Sequence, residues 1–157
     1  MLGKYLTVFF VAMVPLVELR GAIPIAAGMG LPYIPSLIVA VLGNMAPVPL
    51  VYFFARKVLE WGADKKYIGK VFRFFLIKGE RAGQKLVRRT GRGGLFVSLL
   101  LFVGIPIPGT GAWTGVLGAS FLNMGFKSTV ASVSLGVILA GCSMAAVSLA
   151  GLHIFGL

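Results

Sequence analysis

Glu18 and Arg20 stand two residues apart in apolar sequence, and the nearest other charges are Lys4 and Arg56. If this stretch lies in lipid, each charge costs roughly 2.5–3.5 kcal/mol near the bilayer centre, so it must be paired, neutralised or turned to water. Loss of solvent disfavours an ionised carboxyl, which makes Glu18 a candidate carrier of a coupling proton. The planar guanidinium of Arg20 suits a forked grip on an anionic head group. The same two side chains also suit a structural pair or a shallow interfacial position. A second group of candidates lies in GIPIPGTGAWTG, residues 104–115. Pro106 and Pro108 interrupt helical hydrogen bonding, and Gly109 and Gly111 permit positive φ and close approach of backbone or ligand. Thr110 and Thr114 add hydroxyls, and Trp113 adds an indole donor. Backbone amides at such a break bind anions without any basic side chain. No Gly-Lys-Ser/Thr follows, so this is not a nucleotide phosphate loop. Asn44, midway along an apolar run, either faces the same cavity or holds helices together.

Other chemistry is poorly provided for. One histidine and one cysteine, Cys142, give no cluster of soft metal ligands and no intrachain disulfide, so no metal and no cofactor is expected. No His/Asp/Ser constellation supports an enzyme. The net charge of +11 invites a nucleic-acid partner, but its distribution argues otherwise. Twelve of the 15 Lys+Arg and three of the four acids fall between Arg56 and Arg92, in a chain that is 58% hydrophobic. A basic island beside long apolar runs marks the cytoplasmic side of a membrane protein and attracts anionic lipid. Membrane lipids are the expected partners.

The elements that must position these residues are uneven in length. Residues 5–17 reach only ~20 Å as a helix, against a hydrocarbon core of ~30 Å. GAIPIAAGMGLP (21–32) follows, with two prolines and three glycines. Residues 34–55 are long enough to span, and the basic island comes next. Residues 95–105 are again short and run into the second break, and 128–155 form a long run without proline or charge. Broken backbone at membrane depth needs partners from protein or a water-filled cavity. Two re-entrant hairpins meet that need, and two kinked but complete spans are the alternative. Ile23-Pro24-Ile25 matches Ile105-Pro106-Ile107, which puts Pro24 beside Pro106 as a break residue.

Charge bias then orients the parts. Arg56 and Lys57 hold the end of the first span in the cytoplasm, so the first hairpin dips in from outside and the second, after Arg92, from inside. The expected fold is all-α: two inverted units (1–55 and 93–157), each a hairpin plus a span, joined by a basic amphipathic cytoplasmic segment (56–92). Within that segment Asp64 is the expected N-cap of a helix over 65–77. Its stripe of Ile68, Val71, Phe72, Phe75 and Leu76 lies on the leaflet or packs as a linker. Lys4 and the apolar run after it resemble a signal peptide, but Glu18 and Arg20 interrupt the route to a cleavage site, so the segment is read as structure. Ser128, Ser132, Gly136 and Ala140 form a ridge of small residues for close packing within the chain or against a second copy. Two spans and two hairpins make a thin wall around a pathway, which favours a homodimer.

The stretches LVELRGAIPIAAGMGLP (16–32) and GRGGLFVSLLLFVGIPIPGTGAWTG (91–115) resemble the small multidrug export protein family over nearly the whole chain, and more distantly the DedA membrane family. The DedA resemblance implies two opposed re-entrant hairpins and proton-coupled movement of a polyprenyl phosphate. It also implies that Glu18 is the acid of the first hairpin and Pro106 the proline of the second. That family places arginines three residues to either side of this proline. Here the positions hold Val103 and Gly109, which leaves Arg20 alone as a phosphate ligand. The expected function is an inner-membrane, multi-pass transporter of an amphiphile, with export of small cationic drugs or a non-transporting assembly role as the alternatives.

Overall fold

The computed structural model describes residues 1–15, 17–105, 107 and 110–155, except for the side chains of 75, 76, 79, 82, 83, 86 and 148–155. Every regular element among them is α-helix. The chain opens with α1 (Leu2–Met13), whose 12 residues reach only ~18 Å. Val14 is extended (φ −70, ψ 127), because the ring of Pro15 denies the preceding residue the helical region. The chain turns there and re-enters helix as α2 (Glu18–Gly28), which packs back along α1.

This corrects the expected position of the first break. It lies ahead of Glu18, at 14–17, not within 21–32. Pro24 sits inside α2 and is exposed, where it cannot return a hydrogen bond to the Arg20 carbonyl yet does not end the helix. The counterpart of Ile105 is Val14, not Ile23. Ile105 precedes Pro106, is extended in the same way (φ −80, ψ 121), and ends the next broken helix.

α3 (Tyr33–Met45) and α4 (Val48–Ala63) follow, joined at Ala46 and Pro47. Together Tyr33–Ala63 form a stretch of 31 residues, about 46 Å if straight and so longer than a bilayer core needs, whose charges begin only at Arg56. α5 (Gly69–Gly104) is two helical arms divided at Gly91, whose φ of +70 and ψ of 177 are non-helical and favour glycine. Asp64 is the C-cap of α4, not the N-cap of the next helix, which starts at Gly69. Of the expected stripe, Ile68 and Val71 are exposed and Phe72 covers Gly62, while the side chains of Phe75 and Leu76 lie outside the described residues. α6 (Ala112–Phe121) and α7 (Phe126–Phe155) complete the chain.

The two halves repeat their local geometry at a spacing of 93 residues. α2 and α6 both end in a left-handed residue, Gly30 (φ 69) and Asn123 (φ 55). The next N–H in each reaches back five residues, Leu31 to Ala26 O (3.1 Å) and Met124 to Ala119 O (2.9 Å), which is the Schellman helix end. In the first turn of the following helix, Ser36 Oγ donates to Pro32 O and Thr129 Oγ1 to Gly125 O. Two turns later, Gly43 lets α3 meet the backbone of α1 at Phe9, and Gly136 lets α7 meet α5 at Leu100. The ridge of small residues on α7 is therefore spent within the chain: Ser132 Oγ donates to Phe96 O at 2.6 Å.

Packing is inverted relative to a water-soluble domain. On α3, Ser36, Ala40, Gly43 and Asn44 are buried while Ile34, Ile38 and Leu42 face outward. Phe10, Leu50, Phe53, Phe54, Leu101, Leu135 and Ile138 are likewise exposed. Small residues inside and large apolar ones outside suit lipid, where close backbone approach replaces hydrophobic burial as the force between helices.

Candidate functional site

The turn between α1 and α2 meets the break between α5 and α6, and the polar groups of each serve the other's backbone. Glu18, first residue of α2, is itself left-handed (φ 49) and only 6% exposed. Its carboxylate lies across the N-terminus of α6, where Oε1 accepts the Trp113 N–H at 3.1 Å. A helix N-terminus carries unsatisfied N–H groups and about half a positive charge, so a carboxylate suits it. Gly111, the N-cap, makes the approach possible, because a Cβ there would fall on the Glu18 carboxyl group. Thr114 Oγ1 accepts the Gly111 N–H at 3.0 Å and so secures the same end.

Arg20 takes the complementary position at the C-terminal end of α5. Its guanidinium donates to the carbonyls of Ile105, Ile107 and Thr110 and to Thr110 Oγ1. Ile105 is the C-cap of α5, and Ile107 and Thr110 follow it in the break, so the guanidinium sits at the negative end of that helix and adds to the donors these carbonyls take from within the break. The Trp113 indole N–H closes the knot by donating to Met13 O, the last carbonyl of α1, at 3.2 Å. Glu18 and Arg20 are thus held by helix ends. The one ion pair among the described residues is elsewhere, between Arg56 and Glu60.

Asn44 completes the site from α3. It is 2% exposed, and its Oδ1 has no hydrogen-bond partner among the described residues. It borders a void of about 10 Å³ with Glu18, Leu19, Arg20, Gly111 and Ala112. That space is about the size of one water. Val103, Val137 and Ala140 form the apolar wall, and nothing in their sequence setting distinguished them from ordinary packing residues.

The structure therefore gathers Glu18, Arg20, Asn44, Thr110, Gly111, Trp113 and Thr114. It does not bring in Pro24, which faces outward on α2. Pro106, Pro108 and Gly109 lie outside the described residues. No group of three or more His, Cys, Asp or Glu side chains suited to a metal forms among the described residues. Chemically the site offers a carboxylate at one helix end, a guanidinium at another and a water-sized void between them.

The structure is thus all-helical among the described residues, with an apolar exterior, two helices long and apolar enough to cross a membrane, and two interlocked breaks. A family model described as "Putative small multi-drug export protein" matches residues 18–142, and the chain belongs to that family of small membrane export proteins. No curated protein and no solved structure matches the chain.

Proposed function

We propose that the chain carries an amphiphilic, lipid-like substrate across the inner membrane by opening and closing the knot between its two breaks, with proton movement at Glu18 driving the cycle. The observation that carries this reading is the placement of the two isolated charges. Glu18 and Arg20 each hold a helix end of the other half of the chain, so protonating one or diverting the other to a substrate anion loosens the contact between halves. In this reading the two helix–turn–helix pieces are re-entrant hairpins entering from opposite sides, and the halves are inverted units related by the 93-residue spacing. The basic segment 56–92 lies on the cytoplasmic side, as the positive-inside rule requires. The polar inventory of the site supports transport over an enzymatic role.

Polyprenyl phosphate is the finer reading of the substrate, supported by the resemblance of residues 16–32 and 91–115 to DedA-like sequences. Export of small cationic drugs is favoured by the family description instead, with Glu18 as the counter-charge. Purified protein in phosphatidylcholine vesicles separates these readings. Amphiphile movement that depends on a pH gradient, is lost in Glu18→Gln and is lost separately in Arg20→Gln supports the proposal. Uptake of a cationic dye lost in Glu18→Gln but kept in Arg20→Gln supports drug export. Movement of neither compound leaves the assembly role.

A further inference from the structure

A polar cleft lies away from the knot. It measures about 570 Å³ and runs between the basic arm of α5 and the turn joining α6 to α7, lined by Glu80, Gln84, Arg88, Arg92, Asn123 and Ser128. Its floor is Leu95, Leu122 and Met124, and the same three residues head a second, apolar groove of about 240 Å³ between α5 and α6.

The groove follows from sequence spacing. Leu95, Ser98, Leu99 and Phe102 fall at helical intervals on one face of α5, and Thr114, Gly115, Gly118 and Ala119 on one face of α6. Phe102 and Leu99 give the first face its bulk, while Gly118 leaves open space on the second and Gly115 packs closely against Val103. The cleft wall is fixed from α4: Arg56 donates to Asn123 Oδ1 at 2.7 Å, and the buried Tyr52 hydroxyl donates to Met124 O at 2.6 Å. Gly91, with its positive φ, bends α5 between the two arginines.

We propose that the cleft and groove together hold a single-chain lipid with a phosphate monoester head. The head sits between Arg88 and Arg92 and the chain runs along the α5–α6 groove toward Thr114. Two arginines against one acid leave the cleft cationic, and a phosphate monoester carries about −1.5 to −2 charge at pH 7, which calls for two guanidinium forks. The apolar groove beside α4, about 520 Å³ around Leu50, Phe54 and Trp113, is lined by no charged residue and selects no head group. This slot deepens the transport reading by naming where the substrate rests before it reaches the knot, and it rests on that reading only for the word substrate.

The test uses full-length protein in phosphatidylcholine nanodiscs and dodecyl phosphate bearing a terminal diazirine. Photo-crosslinks are expected on residues lining the groove. The Arg88→Gln/Arg92→Gln double variant should lower their yield about tenfold or more, since each removes a charge-assisted hydrogen bond. Gly118→Leu should abolish them with the fold intact, because Gly118 is mid-helix with open space where a side chain would go. Circular dichroism melting checks that the fold is kept. The same chain with a choline head should compete poorly. Crosslinks spread over outward residues such as Ile34 and Ile38, or equal yields in all variants, overturn the slot. Glu18→Gln keeps the two ideas apart. If crosslinking persists while transport is lost, both stand; if transport also persists, the transport reading fails and the slot remains.

Discussion

Gly111→Ala tests the seat of Glu18 on α6 directly. The backbone of Gly111 (φ −118, ψ −171) is extended, so alanine brings no backbone strain, and the N–H that bonds Thr114 Oγ1 is kept. The nearest atoms to the new methyl group all belong to the Glu18 carboxylate, which must leave the Trp113 amide. A hydrogen bond to a charged group is worth about 1.5–3 kcal/mol. Stranding a carboxylate that is 6% exposed adds to that loss. A total of about 2–4 kcal/mol of stability is expected to disappear, read as unfolding in mixed micelles. In a Glu18→Ala background the space is already open, and Gly111→Ala should then cost under about 1 kcal/mol, the ordinary difference between these residues at an N-cap. The coupling between the sites is therefore about 1–3 kcal/mol, within the range found for residues in contact. An equal cost in both backgrounds would show that the methyl group meets something other than Glu18 and refute the argument.

Gly43→Ala and Gly136→Ala should each cost about 1–3 kcal/mol, since their methyl groups meet the backbone carbonyls of Phe9 and Leu100. Gly28→Ala, with open space around it, should be neutral or stabilising by up to about 1 kcal/mol in the same unfolding assay. Tyr52→Phe removes the donor to a buried carbonyl of the α6–α7 turn and should cost about 1–3 kcal/mol, with faster amide exchange at Asn123 and Met124. Cysteines at Lys66 and Lys85 should be labelled from the cytoplasm and one at Pro32 from outside; labelling of all three from one side would reject the inverted arrangement.

Glu18 and Arg20 were legible in the sequence because ionisable groups in an apolar chain are costly, and a costly residue must have a partner. The nature of the partner was not legible. Glu18 and Arg20 look like a pair two residues apart, yet each binds backbone about 90 residues away, and backbone groups leave no mark in composition. The internal repeat was read from the wrong triplet. Ile23-Pro24-Ile25 and Ile105-Pro106-Ile107 are identical in letters, but Pro24 lies within a helix while Ile105 is the extended residue before a turn. The repeat that the structure carries pairs Ser36 with Thr129, Gly30 with Asn123 and Gly43 with Gly136. Two of those pairs keep a hydrogen-bonding or backbone role while changing residue type, so matching letters could not find them. Asp64 was misplaced for a related reason: it has the side chain of an N-cap but stands where α4 ends.

The exchange of partners between the two breaks has a consequence for motion. α1 and the last arm of α5 each end in carbonyls that no residue of their own helix can serve, and α6 begins with amides in the same condition. Trp113, Arg20 and Glu18 meet those needs only while the halves touch. Separating the breaks inside lipid would expose all three sets at once, at several kcal/mol for each unsatisfied group. A cycle that opens the knot must therefore supply substitutes at the same moment. In the proposed cycle a proton on Glu18 would remove its charge and its need for the α6 amide, and an anionic head group would give Arg20 and that freed amide a new acceptor. The carbonyls of α5 then require water, and Asn44, whose Oδ1 already borders a water-sized void, stands where that water would enter. Opening should thus occur with proton, anion and water together and be blocked when any one is withheld.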